Sequence, residues 1–104
     1  MSFKDDLLAS IAITTEGKPT VQIEAIQVAQ LRNLTFRDGW LRQAVKSLEE
    51  NGLIRVMMYM GGGENLGMRL CITGNGLEQA EHILNVRGSN LYEEIDDYTN
   101  STIN

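Results

Sequence analysis

The feature that most limits the fold is the stretch LRQAVKSLEENGLIRV, residues 41–56, where a helical pattern stops at a glycine and an extended pattern begins. Apolar residues recur there at helical spacing, which predicts a helix with one buried face, ending near Asn51. These positions are Leu41, Ala44, Val45 and Leu48. Gly52 can adopt the left-handed conformation that ends a helix without a steric penalty. Because only one glycine separates the helix from the strand, we expect the chain to turn directly into a strand that packs beside the helix.

The extended pattern predicts a β-hairpin. Residues 53–60 and 67–72 are rich in branched, aromatic and sulfur-containing side chains, and the glycine-rich sequence GGGENL separates them. Thr73 can then serve as the N-cap of a further helix over about 74–85.

The N-terminal part of the chain predicts helices before the hairpin. Ser2 with Asp5 resembles a capping box, and the apolar spacing after it predicts a first helix over about 3–14. The sequence EGKP, residues 16–19, breaks this helix. A second helix is predicted from Thr20 to about Asn33, and the third over about 36–51, with Thr35 as a plausible N-cap.

A length of 104 residues suits a single globular domain, and the predicted order of three helices, a hairpin and a further helix makes its fold α+β and mostly helical. We expect this domain to cover residues 1–85, followed by an acidic segment, 86–104, that forms a short helix and then a disordered tail. No apolar run approaches the roughly 20 residues of a membrane span, and the N-terminus does not look like a signal peptide, so we expect a cytoplasmic protein without membrane contact.

Charge is distributed unevenly along the chain. The net charge is −5, yet residues 32–69 carry six Lys or Arg against four Asp or Glu. A mildly positive region on an acidic protein is a weak electrostatic signature for nucleic acid.

Three stretches carry a resemblance to a known family: VAQLRNLT, LEENGLI and LCITGNGLEQAE. Over about residues 20–85 the sequence resembles winged helix-turn-helix proteins, the superfamily of multiple-antibiotic-resistance-type regulators and many small bacterial and phage proteins. The resemblance implies three helices, a β-hairpin wing and one or more C-terminal helices. It also implies a recognition helix at about 36–51.

The sequence departs from the family pattern in two ways. The helix-turn-helix link is about two residues longer than usual, and the hairpin tip has Glu64 instead of basic residues.

The resemblance implies a DNA-binding transcriptional regulator whose third helix enters the major groove. On that helix Gly39, Arg42, Gln43 and Lys46 share one stripe, and Arg37 lies near its start. Arg55 and Arg69, on the two hairpin strands, are candidates for contacts with flanking phosphates. Two alternatives remain open: the stripe is an ordinary solvated face, and the two strand arginines pair with Glu49 or Glu64. The alternative function is a winged-helix module for protein–protein interaction that does not bind DNA.

The terminal segments are amphipathic, and in the resembling regulators such helices often build a two-fold dimer. We therefore predict a homodimer with double-stranded DNA as its partner. The predicted dimer contacts are Leu7, Leu8, Ile11, Leu91, Tyr92 and Ile95. The alternative is that these residues complete the small core of a single chain.

Catalysis has little support in the sequence. His82 is the only histidine and Cys71 the only cysteine, so these two residues cannot make a closed zinc site, although carboxylates could complete an unusual one. The triple glycine lacks the Lys-Ser/Thr of a phosphate-binding loop. We expect no enzyme activity, no metal and no cofactor.

Overall fold

The computed structural model describes residues 2–59 and 67–103, and this part of the chain contains five helices and a three-stranded antiparallel sheet. The protein is thus an α+β domain, as the sequence predicts. In chain order the elements are α1 (Phe3–Thr14), β1 (Ile23–Glu24), α2 (Ala25–Leu31), α3 (Trp40–Glu50), β2 (Ile54–Tyr59), β3 (Met68–Ile72), α4 (Gly74–Val86) and α5 (Leu91–Ile103).

Helix α1 is the centre of the molecule. All of its residues from Leu7 to Thr14 are buried, since α2, α3, α4 and α5 all pack against it. Its sequence there, LLASIAIT, has no charged residue, which is typical of a helix that is buried all round. The Thr14 hydroxyl donates to the Ser10 carbonyl at 2.9 Å, so this buried polar group is satisfied within the helix.

The predicted ends of α1 are confirmed. The Ser2 side chain accepts a hydrogen bond from the Asp5 backbone N–H at 3.2 Å and caps the helix. At the other end Glu16, with φ of 56°, occupies the left-handed position that terminates the helix.

The second predicted helix begins too early. Residues from Thr20 to Glu24 are not helical, and Ile23 and Glu24 instead form β1, which pairs with Leu70 and Arg69 of β3. The apolar spacing at 21–26 fits a strand as well as a helix, and pairing with β3 decides between them.

The third helix also begins later than predicted, at Trp40 instead of about residue 36. Gly39 is its N-cap, with φ of 85°, and Thr35 does not cap it. Its predicted end is confirmed: Gly52 has φ of 71°, and the Gly52 and Leu53 N–H groups donate to the Glu49 and Leu48 carbonyls, both at 3.0 Å. This pair of bonds is the Schellman motif.

Strands β2 and β3 form the predicted hairpin, with Ile54 opposite Ile72 and Tyr59 opposite Met68. A bulge between Val56 and Met58 shifts the register by one residue at Met57. The sheet order β1-β3-β2 places β3 in the centre, where Met68, Leu70 and Ile72 are fully buried. The predicted hairpin tip, 61–66, lies outside the described residues.

The acidic C-terminal segment is helical from Leu91 to Ile103, instead of a short helix followed by a disordered tail. Leu91 is buried, and Ile95 and Tyr98 pack on the same core as α1 and α4. Among the described residues, no helix has both the length and the apolar character needed to cross a membrane.

Candidate nucleic-acid interface

Helix α3 presents a polar face to solvent because its apolar face is held in the core. Leu41, Val45 and Leu48 are at most 1% exposed. Arg42 and Lys46 are both exposed, on the opposite side of the helix. The helix therefore presents two cations to solvent while its opposite face is buried. A DNA-recognition helix needs this arrangement.

Gln43 and Gly39 complete the stripe of four that the spacing predicted. Gln43 is exposed, and its Nε2 lies 4.0 Å from the point that a Cβ on Gly39 would occupy. The Gln43 N–H donates to the Gly39 carbonyl at 3.0 Å in the first turn of the helix. Since Gly39 has no side chain, a ligand can approach the backbone and the Gln43 amide together.

The start of α3 carries an aromatic cluster that the sequence did not reveal. Phe3 of α1 lies 5.9 Å from Trp40 and 5.5 Å from Phe36, measured between ring centroids. The Arg37 guanidinium lies 6.0 Å from the centroid of the Trp40 ring, a cation–π contact. Arg37 is exposed and Trp40 is 42% exposed, so the cluster positions both beside the polar stripe.

Arg55 and Arg69 lie on the outer face of the sheet, and both are exposed. They are not directly opposite each other: Arg55 pairs with Cys71, and Arg69 pairs with Met58 on one side and Glu24 of β1 on the other. Cys71 and Arg69 alternate with the core residue Leu70, so both share one face with Arg55. The Glu24 carboxylate reduces the positive potential at Arg69, and sequence reasoning missed it because β1 was predicted as helix.

Acidic residues limit the positive surface of α3 at both ends. Asp38 is exposed next to Arg37, and Glu50 is exposed one turn beyond Lys46. Glu49 is half-buried, and Glu64 lies outside the described residues. In the part of the chain that the structure describes, the candidate interface is therefore a short cationic stripe and not an extended basic surface.

The predicted dimer residues divide into two groups. Leu7, Leu8 and Ile11 are at most 1% exposed inside the core of one chain, so they present no surface to a second copy in this structure. Leu91 is also buried, at 3% exposure, and Ile95 is half-buried against Gly17. Among these six residues Tyr92 presents a large apolar surface, being 68% exposed.

Among the described residues, no three His, Cys, Asp or Glu side chains converge. His82 is exposed on α4, and Cys71 is buried in β3 as a free thiol.

Comparison of the chain with protein-family models, curated proteins and solved structures gave no match.

Proposed function

We propose that this protein is a small winged helix-turn-helix DNA-binding regulator, with α2 and α3 as the helix-turn-helix and β2–β3 as the wing. One observation carries the proposal: α3 exposes Arg42, Gln43 and Lys46 on one face while its other face is fixed in the core. A helix held in this way can enter a major groove, which is wide enough to admit one helix.

The side chains on α3 match the chemistry of base and phosphate contacts. Arg42 can donate two hydrogen bonds to the O6 and N7 of guanine, and Gln43 can pair with the N6 and N7 of adenine. Lys46, one turn further along, suits a phosphate contact. Arg37 is exposed before the first turn, where recognition helices commonly reach base edges.

The sheet supplies a second, weaker set of contacts in this proposal. Arg55 reaches a flanking phosphate from the exposed face of β2, while Arg69 contributes less because Glu24 lies directly across from it. Each phosphate contact of this kind adds a small, salt-dependent increment to the affinity.

The experiment is a binding-site selection on random duplexes at stated salt, followed by fluorescence anisotropy on the selected site. We expect Arg42→Ala combined with Lys46→Ala to weaken binding and to reduce the slope of log K against log salt by roughly one or two charges.

A matched pair of single variants separates a local contact from a change of net charge. Lys46→Ala and Lys18→Ala each remove one exposed lysine, but Lys18 lies outside α3. We expect Lys46→Ala to weaken binding and Lys18→Ala to leave it nearly unchanged. Equal effects of the two single variants would show that α3 is not the recognition helix. Full DNA binding by the variant that combines Arg42→Ala with Lys46→Ala would show the same.

A second candidate function is a protein-interaction module, and exposed apolar side chains favour it. Trp40 is 42% exposed at the start of α3, and Met57 is 52% exposed at the bulge of β2. Large exposed apolar groups commonly mark protein-binding surfaces. If the selection enriches no sequence, this function replaces DNA binding as the proposal.

We also propose that the regulator acts as a homodimer, since two copies would place two α3 helices on one DNA molecule. The contact cannot be made by the buried residues of α1, so the surface of α5 that includes Tyr92 is the part of the predicted interface that remains accessible.

A further inference from the structure

An apolar groove of about 220 Å³ lies between α3 and the start of α1. Phe3 of α1 and Trp40 and Ala44 of α3 form its apolar wall. Gln43, which belongs to the polar stripe of α3, lines the same groove. In the proposed function, the groove therefore lies directly beside the side chains that meet the bases, but it offers apolar contacts instead of hydrogen bonds.

Trp40 is the largest side chain of this groove, and its neighbours hold it in place. It is the first residue of α3 and is 42% exposed. Its ring centroid lies 5.9 Å from that of Phe3, which in turn lies 5.5 Å from Phe36. The Arg37 guanidinium lies 6.0 Å from the Trp40 ring centroid. A ring held in this way loses little conformational freedom when it meets a ligand, so its exposed part is a preorganised apolar surface.

The charges around the groove suit a polyanion. Lys4 lines the groove, and Arg37 contacts the Trp40 ring. Among the described residues that line the groove, none carries a carboxylate, since Asp5 and Asp38 lie outside it. Double-stranded DNA is a polyanion that also carries an apolar group in its major groove, the C5-methyl group of thymine.

We propose that Trp40 reads the C5-methyl group of a pyrimidine in the major groove, an inference that rests on the proposed DNA-binding function. The methyl group packs against the exposed part of the Trp40 ring, at the end of α3 where recognition helices reach base edges. Thymine and C5-methylated cytosine both offer this group. Because Gln43 is one helical turn after Trp40 and lines the same groove, the methyl belongs to the base pair that Gln43 contacts or to an adjacent pair.

This contact adds a kind of selectivity that the polar stripe does not have. Thymine and uracil present the same hydrogen-bonding groups, so the side chains of Arg42 and Gln43 do not distinguish them by hydrogen bonds. An apolar contact does, because it is lost with the methyl group. Burial of one methyl group corresponds to a gain in affinity of about three- to fivefold.

The test uses the duplex obtained by binding-site selection, with each thymine replaced in turn by uracil and each cytosine in turn by its C5-methylated form. Fluorescence anisotropy at one salt concentration measures the affinity of the protein for each duplex. We expect one position in each half-site at which the methyl group changes the affinity by about three- to fivefold. Weaker binding after a change to uracil assigns the contact to thymine. Tighter binding after methylation assigns it to C5-methylated cytosine.

Two variants show whether Trp40 makes this contact. Trp40→Ala is expected to reduce the methyl effect to less than about 1.5-fold, because the apolar surface is gone. The control, Val86→Ala, shortens an apolar side chain of α4 that is 70% exposed, and it should keep the full methyl effect. The methyl effect is a ratio of two affinities of the same variant, so a general loss of affinity does not imitate the result.

A second measurement needs no variant, since Trp40 is the only tryptophan in the chain. The tryptophan fluorescence therefore reports on this groove alone. Bromine at C5 of uracil has nearly the size of a methyl group and quenches an indole ring that it touches. We expect bromouracil at the methyl-sensitive position to quench Trp40 more strongly than bromouracil placed outside the site in the same duplex.

The outcomes separate the role of Trp40 from DNA binding itself. If the selection enriches no sequence, both proposals are overturned. If a selected duplex binds but no position is methyl-sensitive, the role of Trp40 alone is overturned. A methyl effect that persists in Trp40→Ala, or equal quenching from the two bromouracil positions, would also overturn it. In these latter cases the exposed Trp40 ring fits the second candidate function, a protein-binding surface.

Discussion

Gly76, in the first turn of α4, must be a glycine because neighbouring atoms leave no room for a side chain. Its own backbone conformation does not require glycine. Its backbone is helical, but a Cβ built on it would lie 2.8 Å from Ile72 Cγ1 and closer still to the Leu53 carbonyl oxygen. The Leu53 carbonyl also accepts a hydrogen bond from the Thr73 N–H at 3.1 Å, so it is not free to move away. The absence of a side chain at Gly76 allows α4 to pack closely against the start of the hairpin.

We predict that Gly76→Ala destabilises the protein by about 3 kcal/mol or more, because an added methyl group must displace backbone atoms. Gly74, two residues earlier in the same helix, is the matched control, since a Cβ there has no atom within 4 Å. Gly74→Ala is expected to be neutral or to stabilise by up to about 1 kcal/mol. Urea denaturation measures both. Equal stabilities of the two variants would contradict the close packing at Gly76.

Among the secondary-structure elements, four helices end in the same way. Helices α1, α2, α3 and α4 are each followed by a residue with positive φ: Glu16, Asn33, Gly52 and Gly88. In each case a following N–H bonds back to the last turn, as the Ser89 N–H does to the Leu84 carbonyl at 2.8 Å. These local bonds satisfy helix carbonyls that would otherwise lack donors, so each helix stops at a defined residue.

Thr73 joins two elements through one hydroxyl group. Its Oγ1 accepts from the Gly76 N–H at 3.0 Å, which caps α4, and donates to the Gly52 carbonyl at 2.7 Å, at the end of α3. The same side chain therefore fixes the start of α4 relative to the helix that carries the candidate interface.

We predict that Thr73→Val destabilises the protein by about 1–2 kcal/mol, since valine keeps the shape but loses the cap. Thr73→Ser keeps the hydroxyl and is expected to cost less than about half of that. Thr35→Val is the control, because Thr35 is exposed and does not cap α3, and it should change stability by at most about 0.5 kcal/mol. Chemical denaturation compares the three. A Thr73→Val variant as stable as the native protein would show that the cap contributes little.

For the whole molecule, the terminal helices belong to one core. Helix α5 packs against α1 and α4, and Leu91 at its start is 3% exposed, although its neighbour Tyr92 is 68% exposed. The ion pair between Asp6 and Arg87 joins residues 81 positions apart in the chain. The core therefore extends beyond residue 85, where the sequence suggested that the domain ends.

We predict that Leu91→Ala destabilises the protein by about 2–4 kcal/mol, as expected for a leucine removed from a packed core. At a concentration where the chain is a monomer, Tyr92→Ala should change the stability by at most about 0.5 kcal/mol, because the ring of a single chain is 68% exposed. Thermal or urea unfolding measures both, and a small loss for Leu91→Ala would mean that α5 does not contribute to the core.

The Tyr92→Ala variant also tests the proposed homodimer. Light scattering at micromolar concentration should give a two-chain mass for the native protein and a lower mass for Tyr92→Ala. A one-chain mass for the native protein would remove the dimer from the proposal.

Sequence reasoning found the polar stripe of the candidate site but not its surroundings. Arg42, Gln43 and Lys46 could be placed together because helical periodicity relates residues three and four apart. The Phe3–Trp40 contact and the pairing of Glu24 with Arg69 could not be found in this way. They join residues about forty positions apart, and no local pattern relates such residues.

The sequence by itself determined what short-range interactions control: the Ser2 and Thr73 caps, the left-handed glycine at residue 52, the hairpin and the buried face of α3. Tertiary structure decided that residues 23–24 form a strand, because their backbone groups pair with β3. It also decided that α1 is central and that Trp40 packs against Phe3. The physical reason is the same in each case: these outcomes depend on which distant segments pair or pack together, and no local sequence pattern sets that choice.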